Sequence, residues 1–464
     1  MKIEQLYTGC LAEAAYFIES AGEAVVIDPI RETEPYVKLA QERGVKIKYI
    51  FETHFHADFV SGHLDLARVT GAPIVFGPTA KAQFDYIEAK DGETFEVGDV
   101  TLKVLHTPGH TPESMCLLLY DENGKEYAVF TGDTLFVGDV GRPDLLDGVI
   151  ISKEEQVNHL YDSLNKKIKT LPDDVIVYPG HGPGSLCGKS IGKETQSTIG
   201  REKMFNYALQ PMTREQFMEI ILADQLPAPQ YFVKNAIINR TGYESIDEVL
   251  GRNVHPLGVT SVELEIEAGA LILDTRNSDV FAAGHIPNSL QIALDGSFAV
   301  WVGTLITDIK QRIVVVTDKG RERETILRLA RVGYENVAGY LEGGFDAWRQ
   351  ADMPVATTEV ITAEELERIF DASTTNILDV RRTNEYKVGH LPNAINIPLR
   401  DLEKNLHQLN PKHRYYVHCA GGYRSMIAVS ILARNGYNKA VNVNGGMEAI
   451  AKTRLPILTE AQMA

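Results

Sequence analysis

Cysteine is scarce: Cys10, Cys116, Cys187 and Cys419 are the four among 464 residues, far apart and without a CxxC pair. Such spacing argues against both a disulfide framework and a structural zinc knot. Long apolar runs are missing too. No segment approaches the roughly 20 apolar residues a bilayer-crossing helix needs, and Met1 to Ser20 has no apolar core behind a basic start. Positive charge is outnumbered, with 46 Lys and Arg against 63 Asp and Glu for a net charge of −17. That balance repels nucleic acid and anionic membrane surfaces. The expected protein is therefore cytoplasmic and works on small molecules, with no nucleic-acid or membrane partner. Its 44% hydrophobic content supplies ample core. At roughly 150 residues per domain, the length suggests about three domains.

What the chain does have begins at Thr53. The apolar run Lys48 to Phe51 reads as a strand, and the loop leaving it carries His54, His56 and Asp58 at intervals of two. This spacing lets one short loop aim imidazole nitrogens and a carboxylate at a shared point. Further strand-like runs are Ala24 to Ile27, Thr101 to Leu105, Tyr127 to Phe130 and Val175 to Tyr178; the last three are followed by His110 in HTPGH, Asp133 in TGD and His181 in YPGHG. Any one of these is an ordinary loop residue by itself, but together they predict a metal site at one edge of the sheets. His54, His110 and Asp133 make the facial arrangement that suits Fe(II) and leaves coordination positions open. His56, Asp58 and His181 are then groups that orient ligands or bound water, with His56 as a fourth ligand left open.

The first loop resembles the HxHxDH metal loop of the metallo-β-lactamase superfamily, except that Phe59 stands where the final His belongs. A phenyl ring cannot ligate, so the second metal of binuclear members would lack a ligand. ETHFHADFVSGH, HTPGHTPES, TGDTLFVGDVGRPDLL and PGHGPGSLCGKS are together similar to the persulfide dioxygenases, mononuclear iron enzymes that oxidise a thiol persulfide to sulfite and free thiol. The resemblance implies an αββα sandwich, one Fe(II) per chain on His54, His110 and Asp133, and dioxygen as co-substrate. It also implies that Arg142 lies near the substrate's acidic groups, a task that suits a bidentate guanidinium. A surface salt bridge is the plainer reading of that arginine, and Asp144 is expected to fix its loop. Cys187 follows His181 by six positions in a glycine-rich loop. It is read as a possible sulfur relay or as a small loop-filling residue, with Lys189 expected to lower its pKa. A glyoxalase II-like thioester hydrolase is the alternative, and it would need paired metals.

Ser152 and Glu155 have capping-box spacing, and Val157, Leu160, Tyr161, Leu164 and Ile168 recur at helical intervals as core. The two prolines of Leu226 to Phe232 are expected to start the exit toward a boundary near Gly251. Beyond it lies a duplication. Asp274 and Asp379 are 105 positions apart, as are His285 and His390, within LDTRNSDVFAAGHIPN and LDVRRTNEYKVGHLPN. Both copies read as α/β with a central parallel sheet and resemble rhodanese domains; the repeated Asp, Arg, His and Pro are expected to fix loops. In the second copy Cys419 opens the loop Cys419-Ala420-Gly421-Gly422-Tyr423-Arg424-Ser425 at the amino terminus of a helix. Backbone amides and the helix dipole there suit a sulfur anion, the glycines let the backbone curl around it, and Arg424 adds positive charge. In the first copy Asp318 is read in place of the nucleophile and Arg321 in place of a cradle glycine, so that copy is expected to be inactive.

The domains are expected at 1–250, 251–356 and 357–464. Their order resembles the CstB-type persulfide dioxygenase–sulfurtransferase fusions. The resemblance implies persulfide oxidation to sulfite coupled to sulfane-sulfur transfer at Cys419, with thiosulfate formed or used. A sulfane-sulfur carrier without dioxygenase turnover is a further alternative, and homo-oligomerisation is left open.

Overall fold

The computed structural model describes residues 1–145, 147–148, 151–223, 225 and 227–459; Leu146 and Leu226, at the ends of two stretches quoted above, and residues 460–464 lie outside the described residues. Two units result, Met1–Val249 with Ala330–Gly333, and Leu250–Leu329 with Tyr334–Ala464. No described helix is long and apolar enough to cross a membrane.

In the first unit two six-stranded sheets face each other. One runs, in spatial order, Lys2–Thr8, Glu13–Ser20, Glu23–Ile27, Lys46–Glu52, Ile74–Phe76 and Ile87–Glu88. The other runs Ser197–Thr198, Ile176–Pro179, Glu126–Gly132, Met115–Tyr120, Val100–His106 and Thr94–Val97. Tyr16, Val25 and Phe51 from the first meet Phe95, Leu117 and Phe130 from the second in a shared core. Helix Lys153–Ser163 begins as its capping spacing predicts, with Ser152 Oγ accepting from Glu155 N at 3.2 Å. Val157 and Leu160 then pack on Leu118 and Val129, the outward side chains of the second sheet. Helix His63–Thr70 lies against Lys46–Glu52 of the first. The result is the expected αββα sandwich.

All five strand-like runs are strands. The sequence reading omits Met115–Tyr120, whose MCLLLY is apolar without alternation because its neighbours cover both faces. One expectation is overturned. The prolines before Gln230 do not begin an exit: Gln230–Thr241 is a helix of the first unit, with Phe232, Asn235 and Asn239 fully buried. Pro229 stands at its N-cap with φ −58°, a fixed ring angle that leads the chain into the helix.

The second unit holds two five-stranded sheets with all strands parallel. One is ordered Pro256–Leu257, Val337–Leu341, Ile313–Val316, Leu271–Asp274, Leu290–Gln291; the other Glu359–Ile361, Ala440–Val443, Tyr415–His418, Asn376–Asp379, Ile395–Asn396. Their ladders correct the comparison of the loops. Asp274 pairs with Val316, and Asp379 with His418. The residues that follow, Thr317 and Cys419, therefore occupy the same place, and Asp318 matches Ala420. Gly320 and Gly422 also coincide, at φ 87° and 103°, so Arg321 stands where Tyr423 does and not at a glycine. IVVV and YYVH share too little sequence to fix this register; the hydrogen-bonded ladder fixes it.

Candidate metal centre and sulfur-carrier loop

Strand Lys46–Glu52 ends at the loop that begins the first site. Asp28, at φ 52° just past strand Glu23–Ile27, accepts from Thr53 N at 2.7 Å and from Thr53 Oγ1 at 2.8 Å, tying the loop to its neighbouring strand. Thr53 Oγ1 lies 2.9 Å from His54 Nδ1, and the carbonyl of Arg142 lies 2.8 Å from His110 Nδ1. With Nδ1 held in each ring, Nε2 faces inward. Asp133 is turned the same way, since His181 Nδ1 takes Oδ1 at 2.7 Å and leaves Oδ2. Asp133 Oδ2 then sits 3.3 Å from His110 Nε2 and 3.9 Å from His54 Nε2. Gly180 and Gly141 permit this packing, because a Cβ would fall 2.8 Å from Asp133 Oδ1 at the first and 2.9 Å from His110 Nδ1 at the second.

The structure thus brings His54, His110 and Asp133 together as a fully buried donor group able to hold one cation. Among the described residues His54 Nε2, His110 Nε2 and Asp133 Oδ2 have no hydrogen-bond partner. Three buried acceptors aimed at one point are costly unless a cation satisfies them. Burial pushes both imidazoles below the usual histidine range, into the neutral form that ligates metal. Burial would raise the Asp133 carboxyl, but His181 and His110 outweigh it and hold it well below its usual range.

The other predicted residues go elsewhere. His56 faces Asp28 Oδ1 at 3.2 Å and Glu52 Oε2 at 3.5 Å, and those three form a second group of potential donors. Phe59 is fully buried with its ring 4.4 Å from that of His56. Asp58 meets His181 Nε2 at 2.9 Å, and both gather with Cys187 in a third group. Although burial opposes it, Asp133 and Asp58 raise His181 well above its usual pKa. Lys189 does not lower the Cys187 pKa: burial, Asp58 and Asp133 push that thiol well up, while the Lys189 ammonium donates to the carbonyls of Ile220 and Ala223. Arg142 is buried instead of forming a surface bridge. Its guanidinium grips Asp144 through two bonds of 2.7 and 2.8 Å and donates to Leu186 O.

Sequence reasoning missed Asp28, Glu52 and Asn239. Asp28 follows its strand as a single acid outside any motif, and Glu52 opens the ETHFHADFVSGH stretch without standing at ligand spacing. Asn239 donates to His56 O and Phe59 O, both at 2.8 Å, and accepts from Ser61 N, clamping the loop from a helix 180 residues on.

In the second unit Cys419 is buried at the entrance to helix Tyr423–Arg434. Gly422 N points at its Sγ from 3.1 Å, and Ser425 Oγ lies 3.7 Å away. The loop's carbonyls are held as well, Cys419 O by Met447 N and Ala420 O by Glu448 N. Gly421 is the exposed turn of the loop. Arg424 does not stand open to an incoming anion: both its terminal nitrogens bond Glu385 at 2.8 Å. Tyr423 turns outward and donates to Ala293 O at 2.8 Å, in the first copy.

The metallo-beta-lactamase superfamily profile matches residues 8–181, and the rhodanese-like domain profile matches 259–351 and 362–453. Human mitochondrial persulfide dioxygenase ETHE1 is 33% identical over 210 residues, which are 45% of this chain and 74% of that protein. The chain belongs to the persulfide dioxygenase family. This member also carries two rhodanese-like domains. A probable hydroxyacylglutathione hydrolase of Schizosaccharomyces pombe is 28% identical over 43% of this chain and 84% of its own. A crystal structure described as a metallo-beta-lactamase from Staphylococcus aureus is 33% identical, covers 74% of this chain and 98% of its own, and superposes with a TM-score of 0.65. Family and donor set together support a metal cofactor.

Proposed function

We propose that this family member oxidises a low-molecular-weight thiol persulfide with dioxygen at a single iron and carries sulfane sulfur on Cys419. The supporting observation is the buried trio His54, His110 and Asp133, whose three donor atoms have no partner among the described residues, together with a Phe59 that packs on His56 and offers no further ligand. Two neutral histidines and one carboxylate suit Fe(II) and leave positions for substrate and dioxygen. Iron bound there would supply the redox chemistry for RS–S⁻ + O2 + H2O → RSH + SO3²⁻ + H⁺. The chain's part is to hold the rings: Thr53 and the Arg142 carbonyl orient His54 and His110, and His181 fixes Asp133. Cys187, beside Asp58 and His181, is the thiol available for a relay within this unit.

At the second site the Cys419 thiolate takes the outer sulfur of a thiol persulfide, Cys419–S⁻ + RS–S⁻ → Cys419–S–S⁻ + RS⁻. Gly422 N and the helix amino terminus stabilise the Cys419–S–S⁻ anion. Sulfite then removes the outer sulfur, Cys419–S–S⁻ + SO3²⁻ → Cys419–S⁻ + S2O3²⁻, and the reverse uses the same groups. The assignment of 1–250 to oxidation, 251–356 to an inactive copy and 357–464 to sulfur transfer belongs to this proposal. Hydroxyacylglutathione hydrolases among the relatives make thioester hydrolysis the competing reading, and it would require a second metal. Metal analysis with oxygen uptake on glutathione persulfide decides between them. One iron per chain with sulfite produced supports the proposal; two metals, or no oxygen uptake by the iron-loaded protein, overturns it. Asp133→Ala should lose bound iron and reduce oxygen uptake to background while transfer from thiosulfate continues.

A further inference from the structure

A cavity of about 200 Å³ opens beside the metal-binding loops and plays no part in holding the donors. Phe55 and Ala57, which alternate with His54 and His56, form one wall, and Thr111 and Pro112, directly after His110, form the next. The opposite wall is helix Gln230–Thr241, through Ala236 and Ile237, so the interior is mostly apolar. Two cations stand on its lining, Lys81 and Arg240. Among the described residues Arg240 donates Nε to Lys81 O at 3.2 Å, and its charge also acts on Glu113 across the lining. Lys81 is exposed. The one acid in the lining, Glu113, already accepts from Phe55 N at 3.0 Å. Thr79 and Lys81, both in the lining, hold φ of 68° and 54°. A β-branched residue in that region is a backbone outlier, and such strain collects at ligand clamps.

Arg142 is committed to Asp144 and Leu186 and is not in this lining. From the cavity, its two cations and its place against the donor loops we infer that Lys81 and Arg240 bind the anionic far end of the persulfide's carrier. The substrate is then a small thiol persulfide bearing a carboxylate or phosphate, with its stem along Phe55, Ala236 and Ile237. This inference rests on the proposed oxidation for the identity of the ligand. A charge-assisted hydrogen bond from the half-buried Arg240 guanidinium to an anion contributes enough that its loss weakens binding about tenfold.

The test compares glutathione persulfide, which carries carboxylates, with the persulfide of 2-mercaptoethanol, which is neutral beyond its sulfur. Arg240→Gln and Lys81→Gln should each raise KM for the first about tenfold with kcat nearly unchanged, and leave KM for the second alone. Equal effects on both persulfides, or an unchanged KM in the double variant, overturn the inference. Calorimetry with S-methylglutathione, which cannot be oxidised at a terminal sulfur, reads the cavity without turnover. Wild type should bind it and Arg240→Gln bind about tenfold more weakly; equal affinity, or no binding to wild type, refutes the cavity assignment. Binding without oxygen uptake on either persulfide would instead refute the proposed oxidation and leave the site standing. Lys81→Gln alters an exposed side chain, so that arm does not depend on tolerance of a core change.

Discussion

Asp274 and Arg276 in the first rhodanese-like copy repeat as Asp379 and Arg381 in the second with the same geometry. Each arginine grips its aspartate through Nε and Nη2 and reaches the carbonyl of Gly284 or Gly389 eight residues on. His285 stacks on Phe281 and His390 on Tyr386, with ring centroids 3.8 Å apart in both. The frames agree; the loops do not. Cys419 has Thr317 as its counterpart, and Arg424 has Glu322. Glu385, which holds Arg424, is matched by Val280, 48% exposed on the corresponding helix. The two halves of that ion pair are missing together in the first copy, where a retained glutamate would have faced another. Framework and chemistry are thus separable in this fold: buried pairs carry the first, and a few loop residues at one helix entrance carry the second.

The largest expected effect removes the chemistry from one copy. Cys419→Ser should abolish transfer from thiosulfate to a thiol, to background, while oxygen uptake with glutathione persulfide persists. Residual transfer in this variant would mean that another thiol, with Cys187 the first to examine, carries sulfur. The frame is tested next. Asp274→Asn and Asp379→Asn should each destabilise the copy that holds them by about 3–5 kcal/mol, because a buried arginine loses its partner. Denaturation followed by peptide-resolved hydrogen exchange would localise the loss. If Asp379→Asn cost stability and Asp274→Asn did not, the frames would not be equivalent.

A smaller effect belongs to the ion pair. Glu385 is the main reason Arg424 stays above its usual pKa, with burial opposing, and the bidentate grip fixes where the guanidinium lies. Glu385→Gln keeps the size and one acceptor but removes the charge. Thiosulfate KM should change about three- to tenfold, with alkylation of Cys419 still complete, because a charge-assisted bond is replaced by a neutral one. Unchanged KM would make the pair a structural fastening without influence on substrate.

How much of this is open to reading without coordinates depends on the kind of signal. His54, His110, Asp133 and Cys419 stand at the ends of apolar runs, where topology gathers side chains, and so spacing alone marks them. Asn239 carries no such mark: a polar residue in a helix looks the same whether it faces water or clamps Phe59 and His56 from 180 positions away. Asp28 and Glu52 are ordinary acids until the fold buries them around His56. Asp318 is misassigned when the loop is aligned by its own charged residues, because register is set by backbone pairing of Asp274 with Val316. Arg142 and Arg424 look open to substrate because a sequence shows the guanidinium but not the Asp144 or Glu385 that occupies it.

The corrected register also yields the smallest effect. Thr317 has the backbone place of Cys419, its side chain is buried, and its Oγ1 lies 3.2 Å from Thr325 Oγ1. Thr317→Cys therefore restores the nucleophile's position without adding bulk. It should nevertheless give no measurable transfer in a Cys419→Ser background, because the surrounding charge is wrong. Glu322 stands where Arg424 does, and Arg321 binds Asp295 and Glu324 instead of an anion. A thiolate and an incoming sulfur anion would meet acids at the same entrance, and like charges raise the cost of both. Mass spectrometry after thiosulfate treatment should find the introduced thiol unmodified. Adding Glu322→Arg with Val280→Glu rebuilds the missing pair, and a first trace of persulfide should then appear. Persulfide on the single Thr317→Cys variant would show that position alone suffices and that the charges of this loop do not keep the first copy silent.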